Sequence, residues 1–149
     1  MAKKPTAGDA ELILRLYDLR RESEMRKARA WWASSFWPQS ADDIIKAINT
    51  PGPESAWLRQ VGGYWDLAAS LVLRGALNED LFFDTGGELW FSLAKIYPFL
   101  KDYRQKSNSP EAFMHAEKLA TRSKQGRERL QRMLKLQETR RKAVAELER

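Results

Sequence analysis

The chain has no cysteine, which excludes a disulfide framework, a thiolate zinc site and a cysteine nucleophile together. It has a single histidine, so any triad or imidazole metal site would have to pass through His115. It lacks a long apolar run: the longest, Leu67 to Leu73, is less than half of the roughly 18 to 20 residues needed to cross a bilayer. The polar stretch Met1 to Gly8, with Lys3 and Lys4, is not followed by the apolar segment of a secretory signal. The eight glycines stand singly or in pairs, which excludes a phosphate-cradling loop and a dinucleotide fingerprint. A soluble cytoplasmic chain with no membrane span and no cofactor is the expectation.

What is present is enough for one core. At 149 residues the chain can bury a hydrophobic interior without metals or disulfides, and a single domain is expected. The net charge of +6 is unevenly placed. From Met1 to Glu111 fifteen basic residues face fifteen acidic ones, whereas from His115 to Lys142 ten basic residues face three acidic ones. The excess therefore belongs to the C-terminal quarter.

Helical spacing dominates throughout. Leu12, Leu16 and Leu19 follow Asp9, which is placed to act as an N-cap, and predict a first helix from Ala10 to about Ala33 that Pro38 stops. Ser40 and Asp43 open a short helix carrying Ile44, Ile45 and Ile48. From Glu54 to Arg74, Trp57, Val61, Tyr64, Ala68 and Leu71 alternate at four and three, with Leu58, Trp65, Ala69 and Val72 beside them. A helix apolar on most sides belongs at the centre, and Gly62 with Gly63 predicts another helix crossing closely there. Asn78 caps a short helix through Phe83, and Glu88 opens another in which Pro98 should produce a kink. Ser109-Pro110 begins the next, and Gly126 either divides the C-terminal arm in two or lies within one long helix. Leu130, Met133, Val144 and Leu147 make a thin seam interrupted by Gln137 and Arg140, which predicts weak packing of that arm.

The expected architecture is all-α: a bundle of about six helices with residues 1–8 disordered, 9–105 as the core bundle, and 109–149 as a basic C-terminal helix or helical hairpin.

Candidate chemistry is sparse, and an enzyme is not expected. Asp84-Thr85-Gly86 matches the aspartic protease triplet, but that chemistry needs two copies and a β scaffold, so the triplet is read as a turn that ends a helix. Asp66, Asp84 and Glu88 would act as catalytic carboxylates only if two of them met in a deep pocket. His115 has only Glu117 as an acidic neighbour in sequence. Trp31, Trp32, Phe36 and Trp37 form either a core corner under the Trp37-Pro38 turn or an aromatic anchor for a protein partner. Arg122, Lys124, Arg127, Arg129, Arg132 and Arg140 form either a solvated or interhelix surface or a sequence-independent footprint for nucleic acid. The leading reading is a helical module that binds a protein partner or itself, with nucleic-acid binding as the alternative.

The stretch from Gly63-Tyr64-Trp65-Asp66 to Leu71-Val72-Leu73-Arg74-Gly75-Ala76-Leu77-Asn78-Glu79-Asp80-Leu81, followed by an aromatic-rich helix ending near Pro98 to Arg104, resembles a family of uncharacterised bacterial helical proteins, a domain of unknown function. The likeness covers the middle third. It implies a bacterial source and a helical fold, and carries over no catalytic residue. Some members of that family carry an N-terminal membrane span that this sequence lacks.

Overall fold

Eight helices in chain order make up the protein in its computed structural model, which describes residues 3–149. Met1 and Ala2, the start of the stretch expected to be disordered, lie outside the described residues. The first helix, α1 (Ala7–Arg21), begins earlier than its periodicity indicates. Thr6, not Asp9, is its N-cap: the Thr6 hydroxyl accepts the Asp9 N–H at 3.2 Å and the Asp9 carboxylate accepts the Thr6 N–H at 2.7 Å. A second Asp9 oxygen accepts the Asn78 N–H at 2.9 Å, tying the chain start to a turn some seventy residues away. These backbone donors hold the Asp9 carboxyl below the usual carboxylate range.

The single first helix expected to reach Ala33 is two helices. Glu22 adopts an extended conformation, φ −59° and ψ 143°, and its carboxylate caps α2 (Ser23–Ser34) by accepting the Met25 N–H at 3.0 Å. A one-residue break leaves the spacing of apolar residues almost unchanged, so periodicity does not register it. Its effect is to turn α2 onto the central helix. Then come α3 (Ala41–Asn49), capped by Ser40, and α4 (Pro53–Leu73) with proline in its first turn. Gly75, at φ +78°, ends α4 in the left-handed region, and Asn78 caps α5 (Glu79–Thr85). Asp84 and Thr85 close that helix and Gly86 caps its end, in a turn where a Cβ would lie 2.5 Å from the Phe82 ring. The helix α6 (Glu88–Lys106) continues through Pro98, which is exposed.

Three expectations for the C-terminal part are corrected. Ser109-Pro110 does not open a helix; the chain turns until Phe113, itself left-handed at φ +56°, and only then enters α7 (Met114–Thr121). The division before α8 (Lys124–Leu147) falls at Arg122-Ser123, and Gly126 lies in the first turn of α8. A Cβ there would stand 2.5 Å from the Ala120 carbonyl oxygen, so the glycine permits the close α7–α8 corner. The arm is also firmly packed, against α6 and α7. Leu130 and Gln137 are buried; the Gln137 amide donates to the Phe91 carbonyl at 3.0 Å, and Arg141 donates to the carbonyls of Pro38 at 3.2 Å and Lys95 at 2.9 Å. Gln137, which thins the apolar seam, and Arg141 beside it thus hold the arm through backbone acceptors on its neighbours.

At the centre lies α4, packed against α2, α3, α5, α6 and α7, as its apolar circumference predicts. One hydrophobic cluster draws on every helix, from Leu16 of α1 to Leu130 of α8, with Trp32, Trp65 and Trp90 as its largest side chains.

Candidate functional site

The aromatic group at the end of α2 is mainly interior. Trp32 and Phe36 are buried, Trp31 and Trp37 half-buried. The Trp32 indole donates to the Ser92 carbonyl at 3.2 Å, Trp31 stacks on Phe36 with centroids 4.8 Å apart, and Trp31 meets Trp57 of α4 at 6.2 Å. Trp37 donates to the Ser34 carbonyl at 2.9 Å and forms one wall around a lysine described below. Only parts of Trp31 and Trp37 reach the surface.

Apolar surface is left open instead along one side of α4. Two adjacent glycines there have different surroundings. A Cβ on Gly62 would lie 2.7 Å from the Phe113 ring, so this glycine admits an aromatic side chain from the turn before α7, not the helix that the glycine pair suggested. A Cβ on Gly63 would meet nothing within 4 Å. Glycine costs a helix interior about 1 kcal/mol relative to alanine, and at Gly63 nothing inside the molecule offsets it.

Gly63 lies between two grooves. One, of about 360 Å³, runs between α4 and the α1–α2 corner and is bordered by Leu19, Met25, Tyr64 and Leu67. The other, of about 270 Å³, lies toward α3 and α7 and includes Leu58, Tyr103 and Phe113. Arg59 and Gly63 border both. Leu67 is 55% exposed and Leu19 50%, an unusual exposure for leucines that share one concave surface. Burial raises the Tyr64 phenol to about 12, and its hydroxyl donates to the Leu16 carbonyl, which fixes the groove wall between α1 and α4.

Below this face, Asp66 caps α7 from outside. Its carboxylate accepts the Ala116 N–H at 2.9 Å and pairs with His115 Nδ1 at 2.8 Å. The sequence separation of 49 residues hid this acid from a local reading of His115. The three carboxylates weighed as catalytic stand apart: Asp66 is committed to α7, Glu88 forms a bidentate pair with Arg29 at 2.8 Å, and Asp84 is exposed. The groove that Asp66 borders holds neither Asp84 nor Glu88.

The basic residues of the C-terminal part are divided by the fold. Arg122 forms an ion pair with Glu79 at 2.8 Å, Lys124 lies 3.9 Å from Glu128, and Arg127 donates to the Thr121 carbonyl at 3.1 Å. Arg129, Arg132 and Arg140 follow one edge of α8. Arg129 donates to the Phe83 carbonyl at 2.9 Å and lies over the Trp90 ring at 4.7 Å, and Arg140 lies over Phe91 at 5.7 Å. Burial and the neighbouring Arg132 lower the Arg129 guanidinium from its ordinary value.

A family model matches residues 5–123. The chain belongs to DUF4760, a domain of unknown function. The match reaches well beyond the middle third, where the sequence resemblance was placed, and extends from the strand of chain before α1 to Ser123, the cap of α8. The DUF4760 domain therefore includes the aromatic corner, the open side of α4 and the Asp66–His115 pair, while Arg129, Arg132 and Arg140 follow it. No curated protein and no solved structure matches the chain. Among the described residues no helix is long and apolar enough to cross a membrane.

Sequence reasoning missed one further group of the DUF4760 domain. Lys95 of α6 is fully buried, its ammonium nitrogen donating to the carbonyls of Trp32 and, at 3.1 Å, Ala33, and lying 3.7 Å from the Trp37 ring centroid. It closes the C-terminal end of α2, where unpaired carbonyls carry the negative end of the helix dipole. Burial, with Arg141 and Arg140 nearby, lowers its pKa to about 7. The available signal was its place between Leu93, Ala94 and Ile96, on the inward side of a helix whose other lysines lie near its end.

Proposed function

We propose that this protein is a non-enzymatic helical interaction module, and that its docking surface is the open side of α4. One observation carries the reading: Gly63 has an empty approach, and the groove between α4 and the α1–α2 corner beside it holds Leu19 and Leu67 at half exposure or more. Removing two such leucines from water would contribute about 1 kcal/mol each, and a helix backbone without a Cβ allows a partner to come near. The aromatic corner supports this surface from beneath, Trp31 packing on Trp57 of α4. A bacterial cytoplasm is the setting we propose, which a chain without cysteine suits.

A photo-crosslinking amino acid at Leu67, introduced in the source cell, tests the reading. An adduct from position 67 and none from the exposed control position Lys101 is expected; a clean absence of adducts from position 67 would remove the basis for a docking face.

A second reading, binding of nucleic acid by its phosphates, is favoured by Arg129, Arg132 and Arg140, which have no carboxylate within ion-pair distance among the described residues. Replacing the three with glutamine should then weaken a gel shift seen at low salt and flatten its salt dependence, with the logarithmic slope reduced by about 2 to 3. No shift by the unaltered protein at low salt would end this alternative.

A further inference from the structure

We propose that the groove between α4, the end of α3 and the turn before α7 binds a small monocarboxylic acid with an apolar body, its carboxylate held by Arg59 and Tyr103. The site adjoins the open α4 face and does not depend on a protein partner there.

The groove has a volume of about 270 Å³ and mainly apolar walls, with Leu58 buried and Ile48 and Phe113 half-buried. The Phe113 wall is firmly set. Its backbone is left-handed, at φ +56°, a conformation that a bulky residue sustains only where its surroundings over-determine it. Gly62, without a Cβ, lets the ring lie close on α4, and Arg104 holds the adjoining turn by donating to the Ala112 carbonyl at 2.9 Å. A pre-formed wall gives a ligand apolar contact at little ordering cost.

Two polar groups in this groove lack the partners their chemistry calls for. Tyr103 of α6 is only 6% exposed, yet its hydroxyl is not sealed from solvent and has no hydrogen-bond partner among the described residues; the groove is the cavity that Tyr103 lines. Arg59 has no carboxylate within ion-pair distance among the described residues. Neutral acceptors fix its guanidinium instead: it donates to the Ser55 hydroxyl and, at 3.3 Å, to the Ile48 carbonyl, while its Nε–H donates to nothing among the described residues. Because Ile48 borders this groove and not the one beside Leu67, these bonds draw the charge to this side of α4. A fixed guanidinium with open N–H groups matches a carboxylate, and the phenol adds a further donor. The acids nearby set the ligand's charge. Asp66 and Glu111 also border the groove, Asp66 engaged with the Ala116 N–H and His115, Glu111 exposed. Neither pairs with Arg59, but both oppose a second negative charge on the ligand, so a monocarboxylate is favoured over a dicarboxylate.

Titration of the isotope-labelled full chain with benzoate and with hexanoate, followed through its amide resonances, tests the proposal. Shifts at Leu58, Gly62, Ala112 and Phe113 and a dissociation constant of about 1 mM or tighter are expected. Benzyl alcohol and benzylamine, which keep the apolar body and lose the carboxylate, should bind about tenfold more weakly or worse, and phthalate more weakly than benzoate. Arg59→Gln should weaken benzoate about tenfold and Tyr103→Phe about threefold, with the fold of each variant checked by circular dichroism. The comparison of acid, alcohol and amine uses the unaltered protein, so it decides even where a variant does not fold. No shifts at these four positions from either acid up to about 20 mM overturns the proposal. Benzyl alcohol or benzylamine binding as tightly as benzoate overturns it too, as does unchanged benzoate affinity in folded Arg59→Gln.

Discussion

Lys95 offers the sharpest test of how this core is held together. Replacing it with methionine keeps an unbranched apolar stem out to Cε and removes the ionisable group. In the folded protein burial, Arg141 and Arg140 lower the lysine to about 7, against an ordinary value of 10.5 in the unfolded chain. Between those values the unfolded state binds the extra proton, so stability rises with pH above about 7 and levels off near the unfolded value. The slope cannot exceed about 1.4 kcal/mol per pH unit, which gives a ceiling of about 2 kcal/mol between about pH 7.5 and 9. Lys95→Met lacks this gain. It also leaves the Trp32 and Ala33 carbonyls without their donor, at about 1–3 kcal/mol for a buried acceptor left unpaired. At pH 9, where the lysine is neutral and still donates, the variant should be less stable by about that amount; near pH 7.5 relief from burying a charge offsets part of the loss. Urea denaturation of both proteins across this pH range measures the difference, which should widen with pH by up to about 2 kcal/mol. Parallel curves would show that Lys95 titrates alike in the folded and unfolded chains and would refute the reasoning.

The two central glycines should respond with opposite sign. Gly63→Ala, in open space, should stabilise the fold by about 0.5–1 kcal/mol in thermal unfolding, and Gly62→Ala, against Phe113, should destabilise by about 1–3 kcal/mol. Asp66→Asn weakens the cap on α7 and its pairing with His115; a loss of about 1–2 kcal/mol is expected, with amide exchange accelerated first at Ala116. Trp32→Ala should cost about 3–5 kcal/mol, whereas Trp37→Ala, half-buried, should cost less, and chemical denaturation of the two variants gives the order.

The sequence by itself determined the helical class and the central place of α4. Both follow from periodicity, since residues three and four apart share a helix face whatever the rest of the molecule does. It also supplied the starts of α3, α4, α5 and α6, because capping at Ser40 and Asn78 and the proline at the start of α4 are local chemistry within a few residues. The aromatic corner was legible as a cluster, with a core corner as one of its two readings; which rings are buried depends on the neighbouring helices. Tertiary structure alone decided the break at Glu22, which a single extended residue makes, and the firm seating of α8, where Gln137 and Arg141 find backbone acceptors on elements distant in sequence. It decided that Asp66 meets His115 and that Lys95 is interior, for both depend on which helices become neighbours. Gly62 and Gly63 show the distinction most plainly. Adjacent and identical in sequence, they lie on different sides of one helix, and only the packed fold puts an aromatic ring against the first and leaves the second open.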